Sequence, residues 1–280
     1  MKPKVALCNL FDDIKQLRAF ALDNDFSGVD WSFNMEELPS SPLEETRWVE
    51  RLSALNPLEV RYHCPFMKVD LGHEDSSKVL SALNLFHLVI RLVSKTNGKF
   101  LTLHVGLGHD TTHILSWERT ITNLRSLVQY GADRGVKVCL ENLAWGWTSK
   151  PNLFEKLIRR TGAGVTFDIG HAQACESVTN QYFSPEDFVS PHPDRVHNAH
   201  IYHTEISGLG HVPPDGIEDI KERLDTLRKI GCYWWVIEIK EAQKLLRTKQ
   251  IVDKYIEKAF PVKVSDLSIK SHLEINEGAE

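Results

Sequence analysis

The chain has 280 residues, 42% of them hydrophobic and 25% charged, enough for one large core that needs neither disulfides nor a metal merely to fold. A formal net charge of −5 argues against a dedicated nucleic-acid binder, whose affinity rests on a basic surplus. The five cysteines, Cys8, Cys64, Cys139, Cys175 and Cys232, are odd in number and form no CxxC pair, which fits reduced thiols in a cytosol better than a secreted framework.

In chain order, short apolar runs alternate with longer helical patterns. The N-terminus, MKPKVALCNLFDDIK, shows no long apolar run followed by a small-residue cleavage site. Its Lys4–Asn9 segment reads as a first strand, and Gly28–Phe33 and Glu59–Cys64 follow as the second and third. Asp75, Ser76 and Ser77 are cap candidates for a helix over Asp75–Val93, with Leu80, Leu83, Phe86, Ile90 and Val93 near helical spacing. Phe100–Val105 is the fourth strand, and a helix over Asp110–Gly135 stops at glycine. Val136–Glu141 is the fifth strand; Pro151 opens the next helix and Gly162 follows it. Gly164–Ile169, Val196–Tyr202 and Trp234–Ile239 complete eight strands, with helices over Ile217–Gly231 and Glu241–Phe260.

Strands alternating with helices predict a parallel sheet, and eight such units predict closure into a single-domain α/β barrel of the (β/α)₈ type over residues 1–261. An open doubly wound sheet usually stops at five or six strands. Residues 262–280 read as a polar C-terminal tail, or as an arm on a partner subunit of a homo-oligomer. No run approaches the roughly 20 apolar residues of a membrane span. The expectation is a soluble, cytoplasmic protein that acts on no membrane.

Six strands end on a side chain able to bind metal: His63, His104, Glu141, Asp168, His200 and Glu238. In a parallel barrel the C-terminal strand ends open on one mouth, so residues distant in sequence meet there. Side chains two apart share a face. Thr102, Cys139, Thr166 and Asn198 therefore line the barrel interior with the candidates, while Leu101, Leu103, Val138, Leu140, Val165 and Phe167 face the helices. Two more histidines join the set, His171 just past Asp168 and His211 in the loop GLGHVPPDG. Among 13 histidines, any single one is more often a surface or hydrogen-bonded core residue than a ligand. The weight lies with Glu141, Asp168, His200 and Glu238 on four consecutive strand ends, since an unpaired buried carboxylate is costly. His63 and His104 are candidates for a second metal or for substrate contacts. Mixed carboxylate and imidazole ligands suit manganese or zinc, with cobalt or iron as further candidates. Cys64, beside His63, should point the other way. Trp31, Phe66, Trp145 and Trp147 could cover a sugar at the mouth or serve ordinary packing.

The order HCPF, LHVG, LEN, FDIGHA, HIYH and IEIK, spread from Val5 to Lys240, resembles the xylose-isomerase-like barrel superfamily. That group includes sugar isomerases and epimerases, polyol dehydratases and abasic-site nucleases of the endonuclease IV type. The resemblance to its ketose epimerases implies one divalent ion held by Glu141, Asp168, His200 and Glu238. It also implies that Glu141 and Glu238 act as the acid–base pair, and that His171 contacts substrate oxygens. The arginine those epimerases often carry after the strand-seven histidine is not evident among Glu205, Ile206 and Ser207. The nuclease branch implies three zinc ions, with His63, His104, His171 and His211 as further ligands. Its aspartate two residues before the last histidine is Leu209 here, and its acidic residue three places after the strand-seven histidine is His203. The leading expectation is therefore an isomerase or epimerase of a small carbohydrate-like polyhydroxy carbonyl compound. A multi-zinc phosphodiesterase and a dehydratase of a cyclic polyol ketone are the alternatives.

Overall fold

A computed structural model describes residues 1–261; the expected tail, 262–280, lies outside the described residues. Eight parallel strands close into one barrel: β1 (Lys4–Cys8), β2 (Gly28–Ser32), β3 (Glu59–Cys64), β4 (Phe100–Leu103), β5 (Lys137–Glu141), β6 (Gly164–Asp168), β7 (Val196–Ile201) and β10 (Trp234–Ile237). β1 pairs with both β2 and β10, so no edge is left open. The fold is a single-domain (β/α)₈ barrel, as the alternating pattern predicts.

Two helices that the periodicity did not single out have clear local causes. α1 (Ile14–Asp23) starts at Asp13, whose carboxylate accepts from the Lys15 and Gln16 amides. α2 (Pro42–Ser53) starts at Ser41 with proline in its first turn. α3 (Ser76–Lys95) is long and apolar enough to cross a membrane by length and composition, which the run-length reading missed. In the barrel its Phe86, Val89, Ile90 and Val93 are buried, and Phe86 meets Phe66 with ring centroids 6.0 Å apart.

α4 spans Trp117–Ala132, not the whole of Asp110–Gly135. Residues before it are drawn away by tertiary bonds: the Ser116 amide donates to Gly72 O (2.7 Å) and the Glu74 amide to Ile114 O (2.9 Å). α5 (Pro151–Thr161) follows β5, and α6 (Ile169–Ala174) and α7 (Glu176–Thr179) follow β6. Beyond β7, the expected glycine- and proline-rich loop contains a small antiparallel hairpin, β8 (Thr204–Ile206) and β9 (Gly210–Val212). Gly208 and Gly210 have φ of +80° and +73°, which glycine adopts without steric cost. α8 (Lys221–Ile230) and α9 (Ala242–Ala259) complete the helical ring.

The apolar face of each strand meets this ring, and Leu101, Leu103, Val138, Leu140, Val165 and Phe167 are all buried there. Inside the barrel, Thr102 and Thr166 share a hydroxyl bond of 2.7 Å, and Asn198 donates to both. Below them Arg61 donates to Asn198 Oδ1 (2.5 Å) and His197 O (2.7 Å). Its guanidinium lies between the rings of Phe100 (4.0 Å) and Trp234 (4.3 Å). The end of the barrel where the strands begin is therefore closed by a cation held between two aromatic faces.

On the outside, Glu45 of α2 accepts from Arg91 Nη2 (2.6 Å) and from Lys95 Nζ of α3. These bonds hold its carboxyl down at about 2, from an ordinary 4.5. A depressed carboxyl contributes its stability in full above the unfolded value, and loses it as pH falls through the folded one. Glu45→Gln is expected to cost about 1–2 kcal/mol at pH 7, and the gap from wild type should close between pH 4.5 and about 2. Thermal melts of both proteins across that range check this; a gap independent of pH would contradict it.

Candidate metal centre

Strand alternation delivers the ionisable side chains to the barrel axis. Asn198 and His200 are two apart on β7, Thr166 and Asp168 on β6, Thr102 and His104 at the end of β4, and Arg61 and His63 on β3. His104, Asp168 and His200 thus stand one step above the neutral layer of Thr102, Thr166 and Asn198, and His63 one step above Arg61.

Glu141, Asp168, His200 and Glu238 form one cluster whose donor atoms lie within 4.8 Å of one another. His200 Nδ1 is 3.1 Å from Glu141 Oε1, 2.9 Å from Glu238 Oε2 and 3.7 Å from Asp168 Oδ2. His63, His104 and Glu141 form a second cluster. There Glu141 Oε2 is 3.2 Å from His104 Nε2 and 3.4 Å from His63 Nε2. Glu141 belongs to both clusters, one oxygen facing each. Asp30, His63 and His200 form a third, with Asp30 Oδ2 3.6 Å from His200 Nε2 and 3.8 Å from His63 Nδ1.

The electrostatics match this crowding. Burial opposes a charge on His200, yet Glu141 and Glu238 hold its pKa well above the ordinary value. Burial likewise opposes the Glu141 carboxylate, and His200 and His104 hold its pKa well below. Burial alone dominates at His63 and pushes its pKa down, favouring the neutral ring that a metal ligand must be. Cys8 and Cys64 are pushed up by burial, Cys8 to about 12, so neither offers a thiolate.

Several of these atoms are deeply buried without a hydrogen-bond partner: Asp30 Oδ1, His63 Nδ1, His104 Nδ1, Glu141 Oε2, Asp168 Oδ2 and His200 Nε2. Buried polar atoms are normally satisfied. Convergent, unsatisfied carboxylate oxygens and imidazole nitrogens fit a divalent ion of the manganese or zinc type. Asp168 is further oriented by Asn142, which accepts from its amide (2.9 Å) and donates to its carbonyl (2.8 Å).

The remaining candidates separate. His171 lies at the rim; its Nδ1 is 2.8 Å from Glu205 Oε2 and its Nε2 3.9 Å from Asp168 Oδ2. His211 stacks on Tyr202 at 4.0 Å, and its Nδ1 is 2.9 Å from the Glu238 carbonyl oxygen. Trp145 stands edge-on to His171 at 5.7 Å. Trp31 and Phe66 are not brought to this group. Trp31 neighbours the inward Asp30, faces the helix layer and carries Arg51 of α2 at 5.7 Å. Phe66 packs on α3, and Trp147 packs on Trp117 at 5.1 Å. Three groups were missed in the sequence. Asp30 was visible as an acid inside an apolar strand. Glu205 depends on the hairpin. Asp70, buried, binds His109 (2.6 Å) and the Gly106 amide (2.7 Å) and so anchors the loop after His104.

A closed parallel barrel with carboxylates and imidazoles gathered at its C-terminal mouth defines a class of barrel suited to metal-assisted chemistry. Residues 19–257 match the family model described as xylose isomerase-like TIM barrel, and the chain belongs to that family. An uncharacterised protein of Methanocaldococcus jannaschii is 29% identical over 199 residues, 71% of this chain and 80% of that protein. Among solved structures, a D-tagatose 3-epimerase-like protein has a TM-score of 0.69 at 19% identity, covering 92% of this chain and 97% of its own. The 3-keto-D-glucoside 4-epimerase YcjR of E. coli has a TM-score of 0.68 at 15% identity, covering 90% and 100%. At these identities the solved structures share the fold.

Proposed function

We propose that this chain is a metal-dependent isomerase or epimerase of a small polyhydroxy carbonyl compound. The observation that carries the reading is the convergence of Glu141 and Glu238 on His200 Nδ1, at 3.1 and 2.9 Å. They come from β5 and the end of β10, three strands apart around the barrel, so they can address opposite faces of one bound molecule. Glu141, Asp168, His200 and Glu238 would hold the ion, which when bound supplies polarisation of a carbonyl oxygen.

Glu238 is the more open carboxylate, its side chain 12% exposed against 1% for Glu141. It lines a cavity of about 440 Å³ with Glu205, His211 and Lys240. A substrate entering there meets Glu238 first, which takes the proton from carbon and later releases it to solvent; Glu141, deeper, delivers to the other face a proton it has taken from solvent. His171, held by Glu205, donates to substrate hydroxyls. All five cysteines are free and buried, which supports a cytoplasmic setting.

Turnover in D₂O tests the proton transfer. Deuterium should enter the product at the carbon next to the carbonyl, and product with no deuterium there would sink the reading. Chelation should abolish activity, and manganese, zinc, cobalt or iron(II) should restore it in proportion to occupancy at one ion per chain, read by elemental analysis. Loss of water from the product would point to the dehydratase variant of the same proton abstraction.

One observation favours a second reading, a phosphodiesterase of the abasic-site type: Glu141 Oε2 faces His63 and His104, so a second ion could share that carboxylate. Two or more ions per chain together with cleavage of an abasic-site duplex would establish it. Leu209, 76% exposed at the hairpin tip, and the net charge of −5 weigh against it.

A further inference from the structure

At the end of the barrel opposite the metal centre lies a cavity of about 630 Å³. Its wall carries Lys99, Lys137, Arg195 and His197, against one carboxylate, Asp194. Lys99 immediately precedes β4 and Lys137 opens β5, and the Lys137 amide donates to the Lys99 carbonyl at 2.8 Å. Two ammonium side chains thus start from hydrogen-bonded neighbours, an arrangement that costs stability when nothing lies between them. Among the described residues, no carboxylate pairs with Lys99, Lys137 or Arg195. The positive field reaches inward: burial, then Lys137 and Arg61, push the His197 imidazole down to about 4.

Lysines at this end could instead serve the helix C-termini that gather there. Those ends are already bonded through the backbone. The Gly135 amide donates to Ala132 O (3.0 Å), the Val136 amide to Gly131 O (2.9 Å) and the Gly162 amide to Ile158 O (2.9 Å). Arg195 Nη1 also donates to Ile158 O at 3.2 Å, so the fold uses part of that guanidinium, and the two lysines are the cations it leaves over. The rest of the wall is largely apolar, with Phe100, Val128, Val136 and Ala163, and its volume suits a small molecule.

We propose that this cavity binds a phosphate-bearing small molecule, its dianionic head held by Lys99, Lys137 and Arg195. A phosphate monoester and free phosphate share that chemistry. Calorimetric titration of the metal-loaded full chain with inorganic phosphate and with glycerol 3-phosphate distinguishes them: tighter binding of the ester means the apolar wall takes a carbon body, and equal binding means phosphate alone is the ligand.

Lys99→Gln with Lys137→Gln is expected to weaken binding about tenfold or more, since a charge-assisted bond is lost at each position. The unliganded double variant should melt at the wild-type temperature or slightly above it, because a repulsion is removed. A lower melting temperature would show that the lysines serve the fold and overturn the proposal. Binding unchanged in the double variant would place the phosphate at the metal centre and overturn it too. Chloride of equal ionic strength giving the same response would mean an adventitious ion only.

Discussion

Glu141→Gln is expected to lower kcat by about 10³-fold or more and to strip the protein of bound metal. The amide keeps the shape and one acceptor but loses the charge, and proton transfer by a placed carboxylate contributes about 10²–10⁴-fold by itself. Glu141 also faces both ligand clusters, one oxygen toward His200 at 3.1 Å and the other toward His104 at 3.2 Å. Its loss therefore removes a donor from each, whereas Glu238→Gln leaves the His63–His104–Glu141 group intact. Elemental analysis should show less retained metal in the Glu141 variant than in the Glu238 variant. The fold should survive, because His200 keeps Glu238 at 2.9 Å. A folded Glu141→Gln protein with turnover within tenfold of wild type would remove this residue from the mechanism.

Arg61→Ala is expected to destabilise the barrel by about 2–4 kcal/mol, because a largely buried side chain loses several charge-assisted bonds, its pair with Glu59 at 3.1 Å among them. Two acceptors, Asn198 Oδ1 and the His197 carbonyl, would lose their donor. A gap would also open between Phe100 and Trp234, whose rings now sit 4.0 and 4.3 Å from the guanidinium carbon. Arg61→Lys should recover only part of this, since an ammonium has neither the planar fork nor the flat faces that stack. Urea midpoints of the three proteins measure the effect. A cost under about 1 kcal/mol for Arg61→Ala, the value of an ordinary surface pair, would mean that the guanidinium is not what closes this end.

The strands were legible as short apolar runs between longer helical patterns, and inside each run the period of two puts Thr102, Thr166 and Asn198 on the interior face, where the bonds among them lie. The same parity explains what was overlooked. Asp30 lies inward between Val29 and Trp31, so an account of strand ends alone passes over it, and Trp31 beside it must face the helices. The hairpin was illegible for a different reason. Its strands are three residues each, too short for any periodicity, and the pairing of Glu205 with His171 exists only once the chain has turned back. The start of α4 was set by bonds to Gly72 and Glu74, partners 40 or more residues away, which no local pattern contains.

The layer of Thr102, Thr166 and Asn198 above Arg61 has a consequence for traffic. None of the three can gain or lose a proton near neutral pH, and the guanidinium beneath them does not give one up. The barrel is thus a vessel with a single door. Protons and ions reach His200 and Glu141 from the mouth and leave by the same route, past Glu238 and the β8–β9 hairpin. An ion held there would exchange at a rate set by that doorway, and trimming the hairpin at Gly208 and Leu209 should speed exchange without touching Glu141, Asp168, His200 or Glu238.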